Sequence, residues 1–222
     1  MARTFFVLGA LTMPTRAFAQ VHWDAAAEVG GTKRFLASRP PGSGDAGFGP
    51  QGQLAAHIAL LPVVRAGLYV GHDISPLAGD AAPRDITWFG GRLKGTPPFA
   101  LGDMRFFVFA GFGYSIVYAR SYSTALAIPN GLGGTTKTNV LVGGAGGGFF
   151  EVPFGIGATY KLRKPWALTA ELGARVGFGH SGSAYEVPGP QVSIPGKPDD
   201  NVLPSGVDRF ALGLTVGLLL DL

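Results

Sequence analysis

The fold is decided by the stretch Phe149–Phe178: FFEVPFGIGATYKL (149–162), RKP (163–165) and WALTAELGARVGF (166–178). Phe150, Val152, Phe154, Ile156, Ala158, Tyr160 and Leu162 alternate with Glu151, Pro153, Gly155, Gly157, Thr159 and Lys161. The second run repeats the pattern from Trp166 to Phe178. A period of two means β-strands with one apolar face. The short Arg-Lys-Pro link makes them an antiparallel hairpin.

Which face meets which surroundings follows from four regular runs, 105–119, 150–162, 166–179 and 209–222. Their 28 even positions (106–118, 150–162, 166–178, 210–222) hold no charge and no Gly. Their 28 odd positions (105–119, 151–161, 167–179, 209–221) hold 9 Gly and 7 charges. Glycine weakens a strand and covers nothing, so it does not build a solvated outer face. Small residues beside a few long charged ones suit the inside of a narrow closed barrel. The bulky face therefore points outward, into lipid.

The rest of the composition agrees. Gly is 36 of 222 residues, about twice the usual ~7%. Charged residues are 14%, against a usual ~25%. No run reaches the ~18 uncharged apolar residues of a spanning helix, and closed barrels are the other form that pairs every backbone group in lipid. The expectation is an all-β, eight-stranded, antiparallel up-and-down transmembrane β-barrel. Absent cysteine excludes thiol catalysis and Cys-based zinc sites. Without Arg3 and Arg16 the chain keeps 16 basic and 14 acidic residues, too balanced for nucleic acid.

Residues 1–19 read as a signal peptide, with Arg3, an apolar Phe5–Leu11 core and Ala17-Phe18-Ala19 before the cut. Residues 20–222 are the barrel domain. Strands are expected at 23–36, 53–61, 64–74, 85–94 (with a bulge at Gly90-Gly91), 104–120, 149–162, 166–179 and 207–222. Loops 38–50, 75–84, 121–146 and 180–206 are long, and links 62–63, 96–103 and 163–165 are short. This alternation suits short periplasmic turns and long outer loops. Trp23, Tyr160 and Trp166 then form one aromatic girdle, and Trp88, Tyr118, Phe150, Phe178 and Phe210 the other.

The inward parity gathers Glu28, Arg65, Arg105, Glu151, Glu171, Arg175 and Arg209 as a lumen charge network. Arg175 is expected to pair with Glu171 or Glu28, because unpaired charges there are costly. Two readings compete: a structural plug, or a small ion-conducting pore. A third class is a lipid A acyl hydrolase using His180 with Ser181 or Ser183, oriented by Glu151 or Glu186. No oxyanion-hole pattern accompanies it. His57 is read as a lumen residue, His72 and His180 as rim residues. His72-Asp73 lacks the further ligands of a metal site. Lys197–Asn201 reads as a loop tip, and the Gly143–Gly148 run lacks the Lys and helix of a phosphate loop. No cofactor or metal is expected.

Three features together carry a family resemblance: the leader ending Ala17-Phe18-Ala19, the eight alternating runs, and the last strand, Phe210-Ala-Leu-Gly-Leu-Thr-Val-Gly-Leu-Leu-Leu-Asp-Leu222. The chain resembles the small eight-stranded bacterial outer-membrane barrels of the OmpA transmembrane-domain and OmpX kind. The resemblance implies an exported, monomeric protein of the Gram-negative outer membrane, with lipid and the barrel-assembly machinery as partners. It implies that Val216, Leu218, Leu220 and Leu222 carry the assembly signal, although the family usually ends in an aromatic. Loops 121–146 and 180–206 would face an extracellular ligand, and no peptidoglycan-binding domain is expected after Leu222.

Overall fold

The computed structural model describes residues 22–129, 134–186 and 205–222. The leader and Lys197–Asn201 lie outside the described residues. In chain order the strands are β1 (Trp23–Leu36), β2 (Ser43–Ala46), β3 (Phe48–Leu61), β4 (Val64–Ser75), β5 (Leu77–Gly79), β6 (Arg84–Gly95) and β7 (Ala100–Leu101). They continue with β8 (Met104–Ala119), β9 (Tyr122–Pro129), β10 (Thr135–Gly144), β11 (Gly146–Lys161), β12 (Trp166–Gly182), β13 (Tyr185–Glu186) and β14 (Asp208–Asp221).

Eight of these, β1, β3, β4, β6, β8, β11, β12 and β14, form one antiparallel meander, and β14 pairs back onto β1. No edge is left open between first and last strand, which removes the unpaired backbone row that an open sheet would expose. The register fixes the tilt. Stepping across paired residues from Trp23 leads through Ile58, Ala66, Leu93, Ala110, Phe154, Ala174 and Leu212 to Lys33. That is ten residues further along the same strand. Eight tilted strands leave an interior just wide enough for side chains.

The faces sort as the alternation predicts. Outward Leu68 is 72% exposed and Leu172 53%, while inward Glu171 is 4% exposed. A water-soluble barrel would show the reverse; this is the inside-out arrangement of a transmembrane barrel.

The inward glycines have a further reason to be there. Gly71 pairs with Trp88, Gly157 with Phe107 and Gly155 with Phe109, each directly across a ladder. A Cβ at Gly71 would lie 2.3 Å from Trp88, and one at Gly157 2.2 Å from Phe107. Each glycine is a socket for the ring opposite it, so the lumen is filled with aromatic side chains as well as charges.

Several boundaries differ from the sequence reading. The second barrel strand starts at Phe48, because Gly49 and Pro50 continue pairing with β1 where they read as loop. The ladders of β6 run without a break through Gly90 and Gly91, so no bulge lies there. Segment 121–146 is not a loop: β9 and β10 form a hairpin that continues β8 and β11 past the barrel. Its Thr, Val and Leu residues favour strands, which the glycines around it obscured. β13 adds to β10, and β2 pairs with β5. These elements crowd the end with long connections, the long-loop end; the opposite one is the short-turn end.

The glycine sockets give a direct test. Gly71→Ala must displace the Trp88 ring, so it should lower unfolding free energy by about 1–3 kcal/mol. Gly91→Ala, whose added Cβ would meet only Gly67 O at 3.8 Å, should change it by less than ~0.5 kcal/mol. Urea titration of the refolded protein in detergent, followed by tryptophan fluorescence, separates the two.

Candidate functional site

The charged interior is the site the sequence points to, and it divides into two clusters. The first lies from the short-turn end to mid-barrel. Arg92 on β6 holds Glu171 on β12 through both terminal guanidinium nitrogens, at 2.8 and 2.9 Å. Its Nε donates to His57 Nε2 at 2.8 Å. That nitrogen is therefore the acceptor, so the ring proton sits on Nδ1, which donates to Asp24 Oδ1 at 2.6 Å. Asp24 also accepts from Arg65, which reaches Asp221 at 3.2 Å. On the other side, Gln53 Nε2 donates to Glu171 at 2.9 Å and to Glu28. Thr215 Oγ1 donates to Glu28 at 2.7 Å. One continuous chain of polar contacts thus crosses from β4 through β1, β3 and β6 to β12 and β14.

The second cluster lies toward the long-loop end. Arg34 donates to Asp73 through Nε and one terminal nitrogen, and to Asp208 at 2.9 Å. Arg84 donates to Asp208 at 2.8 Å, to Ser75 at 2.7 Å and to the Gly206 carbonyl at 2.6 Å. Arg175 Nε lies 3.8 Å from Glu151, which also accepts from Ser115 at 2.7 Å. Two cations approach the Trp88 ring, the Arg175 guanidinium at 3.9 Å and that of Arg34 at 5.5 Å. Such stacking over an indole face is attractive, more so when desolvated. Cavities of ≈ 30 Å³ between the clusters and ≈ 60 Å³ at the short-turn mouth remain.

The structure brings Glu28, Arg65, Glu151, Glu171 and Arg175 inside, but not in the expected pairs. Glu171 is taken by Arg92, and Arg175 goes to Glu151 and Trp88. Arg105 stands exposed at the short-turn mouth. Arg209 is also exposed. The register slips between Phe35 and Leu36, which face Phe210 and Asp208, so the bulge turns Arg209 out and puts Asp208 into the network. Arg34 and Asp73 share the inward parity of β1 and β4 without being counted in that network; Arg84 and Arg92 are not legible as inward residues. In β6 the even positions face inward, opposite to the regular runs. The same inversion corrects Trp88, which is fully buried and belongs to no girdle.

Of the other girdle residues, Trp23, Tyr160 and Trp166 are exposed at the short-turn end. Tyr118, Phe150 and Phe178 are exposed toward the long-loop end. Phe150 and Phe178 pack with Phe112, and Phe210 with Phe35. Val216, Leu218, Leu220 and Leu222 share the outward parity of the last strand.

The hydrolase set is not assembled. His180 Nε2 lies 2.8 Å from the Asp208 carbonyl and its ring packs on Phe149. Among the described residues it makes no hydrogen bond to a serine or carboxylate. Ser183 accepts from the Ser205 amide, and Glu151 is engaged inside. Nor do His72 and Asp73 converge: neighbours on a strand face opposite ways. His72 bonds Thr87 on the outside, and Asp73 bonds Arg34 within. No group of three metal-ligating side chains occurs among the described residues.

Closed topology, apolar exterior and charged lumen together define an eight-stranded transmembrane β-barrel. The comparisons with known proteins stay at the level of fold. The chain is similar to the crystal structure of a major outer membrane protein from Thermus thermophilus. That likeness has 14% identity and a TM-score of 0.51, over 91% of this chain and 100% of that one. The N-terminal β-barrel domain of Pseudomonas aeruginosa OprF gives 12% identity and a TM-score of 0.40, over 88% and 96%. No family model and no curated protein matches the sequence.

The Arg92–Glu171 pair is testable as a buried ion pair. Arg92→Ala strands Glu171 and removes a donor from His57, so it should cost about 3–5 kcal/mol. The double variant Arg92→Met/Glu171→Met should recover at least half of that loss, since apolar replacement of a whole buried pair is often neutral. Urea unfolding of the three proteins in one detergent measures both.

Proposed function

We propose that this chain is a bacterial outer-membrane barrel with a structural or surface-interaction role, whose lumen is a plug and not a conduit. The observation that carries this reading is the cross-strand pairing of buried charges. Arg92–Glu171 and Arg84–Asp208 tie together walls three and four strands apart, and Arg34–Asp73 spans β3. A conducting path needs groups that bind an ion weakly and release it; here these charged groups of the mid-barrel and the long-loop end are occupied by one another.

Export supports the location. The Phe5–Leu11 core and Ala17-Phe18-Ala19 favour cleavage after Ala19 and delivery across an inner membrane. The outward leucines of the final strand suit recognition by an assembly machinery, and closure of β14 on β1 suits a monomer. The long-loop end then faces outward and presents the β9–β10 hairpin, with β13 paired to it. Loops held on a rigid barrel are where binding concentrates.

Four measurements test this. Outer-membrane fractions should contain the protein, and it should migrate differently on a gel before and after boiling. In planar bilayers, wild type and Glu171→Ala should both be electrically silent. A clear current that changes with the substitution defeats the plug, and N-terminal sequencing that finds Met1 or Ala2 on the mature protein defeats the cleaved leader.

A further inference from the structure

The mouth at the short-turn end carries an imbalance that the plug does not need. Six charged residues line its ≈ 60 Å³ cavity: Asp24, Arg65, Lys94, Arg105, Lys161 and Asp221. Arg65 bridges the two carboxylates, and His57 takes a further position on Asp24. Lys94, Arg105 and Lys161 have no carboxylate within ion-pair distance among the described residues. The mouth therefore holds four cations against two anions.

Lys94 is the sharpest part of this. It is only 5% exposed, and lysine is almost never buried without a partner. Its ammonium makes no hydrogen bond among the described residues. Its ammonium sits over the Phe107 ring, 3.9 Å from the centroid. The hydroxyl-bearing Thr96 and Thr159 line the same cavity. Its volume is about four times what a single water needs, which suits a small tetrahedral oxyanion.

We propose that this mouth is an anion site for a phosphate group, held by Lys94 from within and by Arg105 and Lys161 from the rim. Two sources share that chemistry: free inorganic phosphate, and the headgroup of an anionic phospholipid at the barrel's edge, where basic pockets collect such lipids.

The test uses the full-length refolded protein in a nonionic detergent. Inorganic phosphate is titrated at constant ionic strength against chloride, with binding read by calorimetry. Saturable binding is expected, weakened roughly tenfold by Lys94→Met and by Arg105→Gln, each the loss of one charge-assisted contact. Lys137→Gln, on the distant β10, should leave it unchanged. Arg105 is exposed, so its variant keeps the test sound if Lys94→Met fails to fold. Native mass spectrometry from nanodiscs then separates the sources. Retention of phosphatidylglycerol over phosphatidylcholine, reversed by phosphate, assigns the headgroup; phosphate binding without lipid retention assigns the free anion. No saturable binding beyond chloride, or affinity in both variants equal to wild type, overturns the site.

Discussion

A guanidinium enclosed by eight strands must find its partners among those strands. Arg92 does so through three nitrogens at once, with Glu171 across the lumen and His57 on the neighbouring but one strand. Removing a charge from water is costly, and only good geometry with further hydrogen bonds offsets it. Much of the interior meets the same requirement. Gln53 links the two carboxylates that would otherwise repel, Thr215 supplies Glu28 with another donor, and Asp208 collects two arginines. Because each of these ties joins strands far apart in sequence, the polar interior also specifies register. A slip of one residue would exchange Glu171 with Leu172 and place the charge in lipid.

Size is the second constraint, and it explains why the interior is not simply polar. The lumen of an eight-stranded barrel must be filled, yet charged side chains packed side by side soon exhaust their partners. Trp88, Phe107, Phe109 and Tyr69 fill the remaining space. The first three present ring faces to Arg34, Arg175, Arg92 and Lys94. A ring that large fits only where the neighbouring strand has no side chain beside it. Glycine content and aromatic content are thus two sides of one packing solution, seen directly in the pairs Gly71–Trp88 and Gly157–Phe107.

Much of this was legible in the sequence, for a simple reason. In β8, β11, β12 and β14 lipid and lumen demand opposite chemistry, so alternation is nearly complete, and strand number, closure and most inward residues follow. Legibility failed where one local feature broke the alternation. In β6, Trp88-Phe89-Gly90-Gly91 is bulky then empty on both parities, so its inward face, with Arg84 and Arg92, could not be read. At Asp208-Arg209 both residues are charged, and only the bulge opposite Leu36 decides which enters. Pairing preferences were likewise hidden. Parity shows that Glu171 and Arg175 face inward, but the partner of each depends on the stagger of strands that are distant in the chain. The β9–β10 hairpin was missed because glycine was weighed above the strand-forming residues between.

The two ends of the barrel are closed by different means, and connection length is the cause. At the long-loop end three arginines meet three carboxylates beneath an apolar cluster that includes Ile86, Val117, Phe149, Val142 and Val207. Long connections supply the cover. Tyr122 reaches the Pro41 carbonyl, Tyr185 reaches that of Ala82, and the two rings meet edge to face at 5.4 Å. Burial pushes the Tyr185 phenol up to about 12, so it remains a donor across the ordinary pH range. At the short-turn end the link from β3 to β4 is only Pro62-Val63, too short to lay a side chain across the opening. Arg105, Lys161 and Asp221 there are left facing solvent, and the sequence answers with a surplus of cations in place of a lid. Among the described residues, the barrel thus runs from an end whose buried charges balance to one whose mouth is positive, and this polarity follows from where the chain spends its loop residues.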